Sequence, residues 1–214
     1  MTTDPVSERR GYGDDGLDSD DLQADPIAQL QAWLHHAGTT DQGVEASAMT
    51  LATVDRDGRP AARTVLLRRI KNGRLYFYTS YGSRKARHLD DNPHVALLFR
   101  WANPARQVEV LGSAVRATPE ESDAYFASRP RGSQLGAHAS PQSAPIEGRH
   151  VLDQRLADVA AMVGTGEVPR PDGWGGYVVT PRRFEFWQGR DDRLHDRFVY
   201  EFQRGAWRIS RLAP

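Results

Sequence analysis

Two guanidiniums and an imidazole stand at every second position of Arg193-Leu194-His195-Asp196-Arg197. Cations packed this closely repel one another unless an anion sits among them, and guanidinium forks match phosphate or carboxylate oxygens in pairs. On a strand, a period of two would place all three side chains on one face, and a strand is expected over Leu194–Phe202. A solvated basic face is the alternative reading. The segment just upstream weighs against it. In Phe184-Glu185-Phe186-Trp187 the phenylalanines alternate with a carboxylate and an indole, which predicts a strand with one apolar face and one chemically equipped face.

Further cations cluster far away in the chain, at Arg63/Arg68, Arg84/Lys85 and Arg129/Arg131. The net charge is zero, so any anion site is local rather than a property of the whole surface. Arg84 and Lys85 fall in the first turn of a helix opened by Ser83. Cations there oppose the helix dipole unless an anion docks at the helix start. Trp187, Tyr78 and Trp101 offer flat apolar surface for a ring. Convergent cations with aromatic walls suit an aromatic phosphate, of flavin mononucleotide or pyridoxal type.

Several chemistries lack support. The chain has no cysteine, which excludes disulfides, thiol catalysis and thiolate metal sites. It has no Gly-x-Gly-x-x-Gly and no Gly-Lys-Ser/Thr loop. Its histidines lack metal-ligand spacing, so no metal is expected. Zero net charge gives no reason to expect nucleic acid, and no apolar run approaches the roughly 20 residues of a membrane span. The acidic N-terminus has no signal-peptide core, so a cytoplasmic protein is expected.

The elements that must position these residues follow from periodicity. Residues 1–24 are Gly- and Asp-rich and read as a flexible arm, in which Arg9, Arg10 and Tyr12 are the exceptions. Residues 25–214 read as one domain. Asp25-Pro26 opens a helix that Gly38 is expected to end. Ala48–Val54, Ala61–Arg69 and Leu75–Thr79, joined by tight turns, imply an antiparallel meander. The helix Arg84–Asp91, strands His94–Trp101 and Gln107–Ala117, and a helix opened by the capping box Thr118-Pro119-Glu120-Glu121 follow. Arg129–Gly136 reads as a basic loop. A helix over His150–Val163 precedes strands Tyr177–Thr180, Arg183–Gln188, Leu194–Phe202 and Trp207–Leu212. Composition and spacing end at an antiparallel β domain for an anionic ligand, with an aromatic one favoured.

The chain also resembles the pyridoxine (pyridoxamine) 5′-phosphate oxidase family, the FMN enzymes that make pyridoxal 5′-phosphate. The resemblance rests on Arg63-Thr-Val-Leu-Leu-Arg68, Tyr78-Thr-Ser-Tyr-Gly-Ser-Arg-Lys85, Arg106-Gln107-Val108, Ser128-Arg-Pro-Arg-Gly-Ser-Gln-Leu-Gly-Ala137, Gln142-Ser143, Trp174-Gly-Gly176 and the C-terminal Phe184–Arg197 motif. It implies a mainly β, α+β fold: an antiparallel split β-barrel with peripheral helices, forming a homodimer with FMN at the interface. FMN would be bound by Arg63, Thr64, Val65, Leu66, Tyr78, Thr79, Arg84, Lys85, Gln107, Gln142, Ser143, Trp187 and Arg197, some from the other subunit. Arg68, Tyr125, Arg129 and Ser133 would hold the substrate phosphate. Arg193 and His195 would face the substrate ring and amine as the catalytic pair, while Arg9 and Tyr12 match positions that cover the site. Arg68 departs from the lysine usual there, keeping the charge in a bulkier fork. The implied reaction passes a hydride from C4′ of pyridoxine or pyridoxamine phosphate to the flavin, which oxygen reoxidises with release of hydrogen peroxide. Two alternatives share these features: a flavin oxidase of another ring, of the phenazine-biosynthesis type, and a non-catalytic flavin- or haem-binding barrel. The intact Ser128–Gln134 loop argues against the first, and Arg193 with His195 against the second.

Overall fold

The computed structural model of the chain describes residues 11–12, 15–40 and 45–214. Among these, nine strands and five α-helices occur in the order α1 (Pro26–Thr40), β1 (Ala48–Val54), β2 (Pro60–Leu66), β3 (Arg69–Lys71), β4 (Arg74–Ser80), α2 (Arg84–Asp91), β5 (His94–Trp101), β6 (Arg106–Arg116), α3 (Pro119–Ala127), α4 (Arg131–Ala139), α5 (Arg149–Val163), β7 (Trp174–Gln188), β8 (Asp196–Gln203) and β9 (Ala206–Leu212). The strand order is β2-β1-β5-β6-β7-β4-β3, with β8 paired to β7 and β9 to β8. None of the described helices is long and apolar enough to cross a membrane.

The chain divides into two compact units. The first comprises residues 1–50, 96–111 and 181–214; the second comprises 51–95 and 112–180. In the first, β7 pairs antiparallel with β8 from Arg183↔Glu201 to Gln188↔Asp196, and β8 with β9. Period-two alternation turns Phe184, Phe186, Phe198 and Tyr200 inward with Leu30 and Trp33 of α1. In the second, β4 pairs antiparallel with the start of β7, Leu75↔Val179 to Ser80↔Trp174. Leu75, Phe77, Val179 and Ala86 are fully buried there.

Several expectations need correction. α1 is capped by the Asp25 carboxylate on the Ile27 N–H (3.0 Å) as anticipated, but runs through Gly38 to Thr40, because Gly38 adopts no positive φ that would end it. The strand expected over Ala61–Arg69 breaks after Leu66, since the pairs Leu66-Leu67 and Arg68-Arg69 interrupt the alternation a continuous ladder needs. The two strands expected around residue 181 are one. Pro181, with no N–H to donate, lies between the β4 and β8 ladders, where neither pairing calls on it.

The basic loop expected over Arg129–Gly136 is mostly helix, α4. Its two glycines cost about 1 kcal/mol each in helix propensity, and tertiary bonds override them. Gln134 donates to the α3 carbonyls of Phe126 and Ala127 (3.0 and 3.3 Å), Arg131 to the carbonyls of Gly164 and Gly166, and the His138 ring meets the Pro169 carbonyl at 2.7 Å. The arm expected to be flexible over 1–24 is structured from Leu17 on. Leu17 is buried and donates its N–H to the buried Asp196 carboxylate (3.0 Å). Asp18 caps a 3-10 turn over Ser19–Asp21, and Tyr200 donates to the Gln23 carbonyl (2.8 Å).

Candidate functional site

In the second unit a cavity of about 620 Å³ lies among β2, β4, α2, α3 and α4, a size suited to a small phosphorylated ligand. It brings together Thr64, Val65, Leu66, Arg68, Tyr78, Thr79, Lys85, Tyr125, Arg129, Ser133 and Gln142, all singled out in the sequence. Trp174 also lines it; its only sequence signal was the Trp174-Gly-Gly176 motif. A side chain at Gly176 would meet the Tyr78 ring and the Ala117 methyl at 2.9 Å, so a glycine is required where Tyr78 crosses β7.

Lys85 in this cavity and the neighbouring Arg63 are held by neutral oxygens. Ser83, fully buried, caps α2 through the Ala86 N–H. This places Lys85 in the first turn, where its ammonium donates to Thr79 Oγ1 (3.0 Å) and Gln142 Oε1 (2.9 Å). Burial, then the neighbouring Arg63 charge, push Lys85 down to about 8. Arg63 donates to the Leu51 carbonyl (3.0 Å) and Thr53 Oγ1 (2.8 Å); burial and the Arg84 charge lower its pKa too. The Arg84 N–H donates to Ser143 Oγ (3.2 Å), and Ser143 takes a positive φ of 70° to meet it. Cations that depress one another across hydroxyls and amides fit an anion.

Deeper among the aromatics, the Arg129 guanidinium lies 4.6 Å from the Trp174 ring centre and 5.5 Å from that of Phe126. Its Nη1 is buried without a partner among the described residues. A buried guanidinium nitrogen in that state costs desolvation that an incoming oxyanion recovers. Tyr78 and Tyr125 stack with ring centres 3.6 Å apart. The Tyr78 hydroxyl is likewise buried and unpartnered, and burial pushes its pKa up to about 12, so it stays a proton donor.

The first unit holds the other group. Gln107, Trp187 and Arg197 line a cavity of about 240 Å³ with Leu98, Glu109 and Glu185. Here Arg197 is already paired: Nε and Nη2 meet Glu185 Oε1 at 2.8 and 2.7 Å. Arg183 bridges Glu185 Oε2 (2.7 Å) and Glu109 Oε2 (2.9 Å). Burial raises the Glu185 pKa, but the hydrogen bonds from Arg183 and Arg197 outweigh it and hold the carboxyl below its ordinary value.

Arg193, His195 and Arg197 do not share a strand face. The β7–β8 ladder closes at Gln188↔Asp196, so β8 begins at Asp196 and residues 189–195 form the connection. Asp192 and Arg193 take positive φ (57° and 60°) in a 3-10 turn, conformations non-glycine residues adopt at some cost. The turn folds His195 back so that its Nδ1 accepts the Arg190 backbone N–H (3.1 Å), leaving the ring hydrogen on Nε2. The imidazole lies 4.6 Å from the Trp187 ring, and Tyr12 meets both rings edge-on at 5.7 and 5.5 Å. Arg9 lies outside the described residues. Trp101 belongs to the core: it is 2% exposed and its indole N–H donates to the Ala46 carbonyl (3.1 Å), so it is not a ligand wall.

Residues 38–162 match the family described as pyridoxamine 5′-phosphate oxidase, and residues 174–214 match the pyridoxine 5′-phosphate oxidase C-terminal dimerisation region. The chain is 52% identical to the pyridoxine/pyridoxamine 5′-phosphate oxidase of Rubrobacter xylanophilus, over 96% of this chain and 94% of that one. It is 45% identical to the enzyme of the same name from Rippkaea orientalis, over 99% and 100%. Among solved structures it resembles PhzG from Burkholderia lata 383 in complex with tetrahydrophenazine-1-carboxylic acid, with a TM-score of 0.88 and 31% identity over 95% of this chain and 100% of that one. The fold class is the antiparallel split barrel that the sequence led us to expect.

Proposed function

From the premise that this chain belongs to the pyridoxine/pyridoxamine 5′-phosphate oxidase family, we propose that it oxidises pyridoxamine 5′-phosphate and pyridoxine 5′-phosphate to pyridoxal 5′-phosphate. Residues 25–214 form the oxidase domain in this reading, and the working species is a homodimer. The observation that carries the reading is the unpartnered, buried Arg129 Nη1, in one cavity with Lys85 and the stacked Tyr78 and Tyr125. Such a cavity favours a ring bearing a phosphate.

FMN is the cofactor. Arg63, Arg84, Lys85 and Ser143 hold its phosphate, with Gln142 and Thr79 orienting Lys85. Thr64, Val65, Leu66 and Tyr78 add cavity wall, and Gln107, Trp187 and the Glu185-paired Arg197 complete the binding set. Bound FMN supplies the two-electron acceptor, with oxygen as the final oxidant and hydrogen peroxide as product. Arg68, Tyr125, Arg129 and Ser133 bind the substrate phosphate. His195, its hydrogen fixed on Nε2 by the Arg190 N–H, donates to the substrate, and Arg193 lies against the substrate ring. Tyr12, edge-on to Trp187 and His195, excludes water from that side.

The test is steady-state kinetics on pyridoxamine with and without its 5′-phosphate, following peroxide. Two charge-assisted hydrogen bonds at about 1.5–3 kcal/mol each predict at least a hundredfold preference for the phosphorylated substrate. Arg129→Leu should remove most of that preference and Arg68→Lys little of it. Comparable specificity constants for the two substrates would overturn the assignment. The same comparison separates this reading from the phenazine-type oxidation suggested by the likeness to PhzG.

A further inference from the structure

Beneath the phosphate-binding cations lies a buried polar pair that the proposed reaction does not use. Thr53, on β1, is 1% exposed, and His88, on α2, is 6% exposed. Thr53 Oγ1 and His88 Nδ1 are 3.1 Å apart, and the same Oγ1 accepts Arg63 Nη1 at 2.8 Å. One buried hydroxyl therefore joins three elements: β1, the β2 strand that carries Arg63, and the α2 helix whose first turn carries Arg84 and Lys85.

The donor and acceptor count settles how the chain runs. A guanidinium can only donate, so Thr53 Oγ1 must accept from Arg63. The arrangement that leaves no buried hydroxyl hydrogen without an acceptor has Thr53 donating in turn to His88 Nδ1. The ring hydrogen of His88 then sits on Nε2. The second Arg63 anchor, the Leu51 carbonyl at 3.0 Å, comes from the same strand as Thr53. A long side chain held at two points on β1, and through one of them to α2, has lost its rotamer freedom before any ligand arrives.

We propose that Thr53 and His88 are positioning residues for the FMN phosphate, setting the place of Arg63 relative to the cations of α2. The inference rests on the assignment of Arg63 to FMN made above. Neither residue touches ligand in this scheme. Both act through Arg63, and the geometry distinguishes this from ordinary core packing because the apolar part of a buried threonine needs no guanidinium partner.

The test is FMN affinity, measured by flavin fluorescence on apoprotein, for Thr53→Val, Thr53→Ser, Arg63→Ala and the double variant Thr53→Val/Arg63→Ala, with the apoprotein melting temperature recorded for each. Valine keeps the shape and removes both hydrogen bonds. FMN binding should weaken about tenfold, the lower end for a hydrogen bond to a charged group. Serine should restore affinity to within about twofold, since it keeps the hydroxyl. In the Arg63→Ala background the valine change should have little further effect, because the residue it acts through is gone. His88→Asn, which keeps an acceptor near the Nδ1 position, should bind FMN better than His88→Leu. Thr53→Val binding FMN as tightly as the unaltered protein, or weakening it equally with and without Arg63, overturns the inference alone. Failure of the unaltered protein to take up FMN overturns the cofactor assignment and the inference together.

Discussion

The residue that most clearly reports the state of the proposed phosphate site is Lys85. Its ordinary value is 10.5, and in the folded protein burial and the Arg63 charge bring it to about 8. Between those values the unfolded chain holds a proton that the folded one lacks. The stability of the apoprotein therefore rises as pH increases through that window, and the unfavourable burial of the charged ammonium is fully felt below it. A phosphate beside the ammonium restores the charged form, so FMN binding at about pH 9 should take up a proton. Calorimetry in two buffers of different ionisation enthalpy measures that uptake, and Lys85→Met should abolish it. Arg193 makes the complementary case. It is exposed, on a turn of positive φ, and remote in sequence from the phosphate cations. Arg193→Leu should cut turnover strongly while the protein keeps its flavin spectrum. Loss of FMN with normal turnover after reconstitution would reverse the assignment.

At the scale of elements, β7 does the most positioning with the fewest side chains. Its first residues, Trp174-Gly175-Gly176, pair with Ser80, Thr79 and Tyr78 of β4. A Cβ at Gly175 would overlap the Tyr81 hydroxyl and come within 3.0 Å of Ser122 Oγ. The Ser122 hydroxyl accepts the Gly176 N–H (3.1 Å), which locks α3 to β7. Gly175→Ala should cost about 1–3 kcal/mol in stability through overpacking. It should also disturb the stacked Tyr78 and Tyr125, lowering activity beyond what the loss of folded protein explains. Denaturant unfolding beside specific activity per folded molecule checks both. The far end of β7 works differently: the chain Glu109–Arg183–Glu185–Arg197 ties β6, β7 and β8 together, and the Glu185 carboxylate orients Arg197.

For the whole molecule, the match of residues 174–214 to a dimerisation region makes association part of the expected function. If the two subunits share the proposed FMN site, FMN should be lost when the dimer dissociates. Light scattering should give the mass of two chains, and dilution into the range where that mass falls should release flavin in parallel. A fully active monomer retaining FMN would contradict the coupling.

Local chemistry was legible in the chain alone wherever a residue's neighbours in sequence decide its conformation. Ser83 and Thr118 announced their helices because capping is satisfied within three residues. Strands β1 and β4 followed from apolar runs bounded by tight turns, and the cations at Arg63, Arg84/Lys85 and Arg129 stood out by type. Partnership was not legible. Arg197 and Lys85 look alike as basic residues in sequence, yet one meets Glu185 while the other meets a threonine and a glutamine drawn from distant segments. The strand expected at Leu194 gave way to a turn because the β7 register closes at Asp196, a pairing decided eight residues away. The basic loop became α4 because its Gln134 and Arg131 satisfy carbonyls at the ends of other helices. Residue types and local periodicity determined which groups the protein owns. Long-range hydrogen bonding, which pairs most buried donors and acceptors, decided which of them find partners and which, like Arg129 Nη1, have none among the described residues.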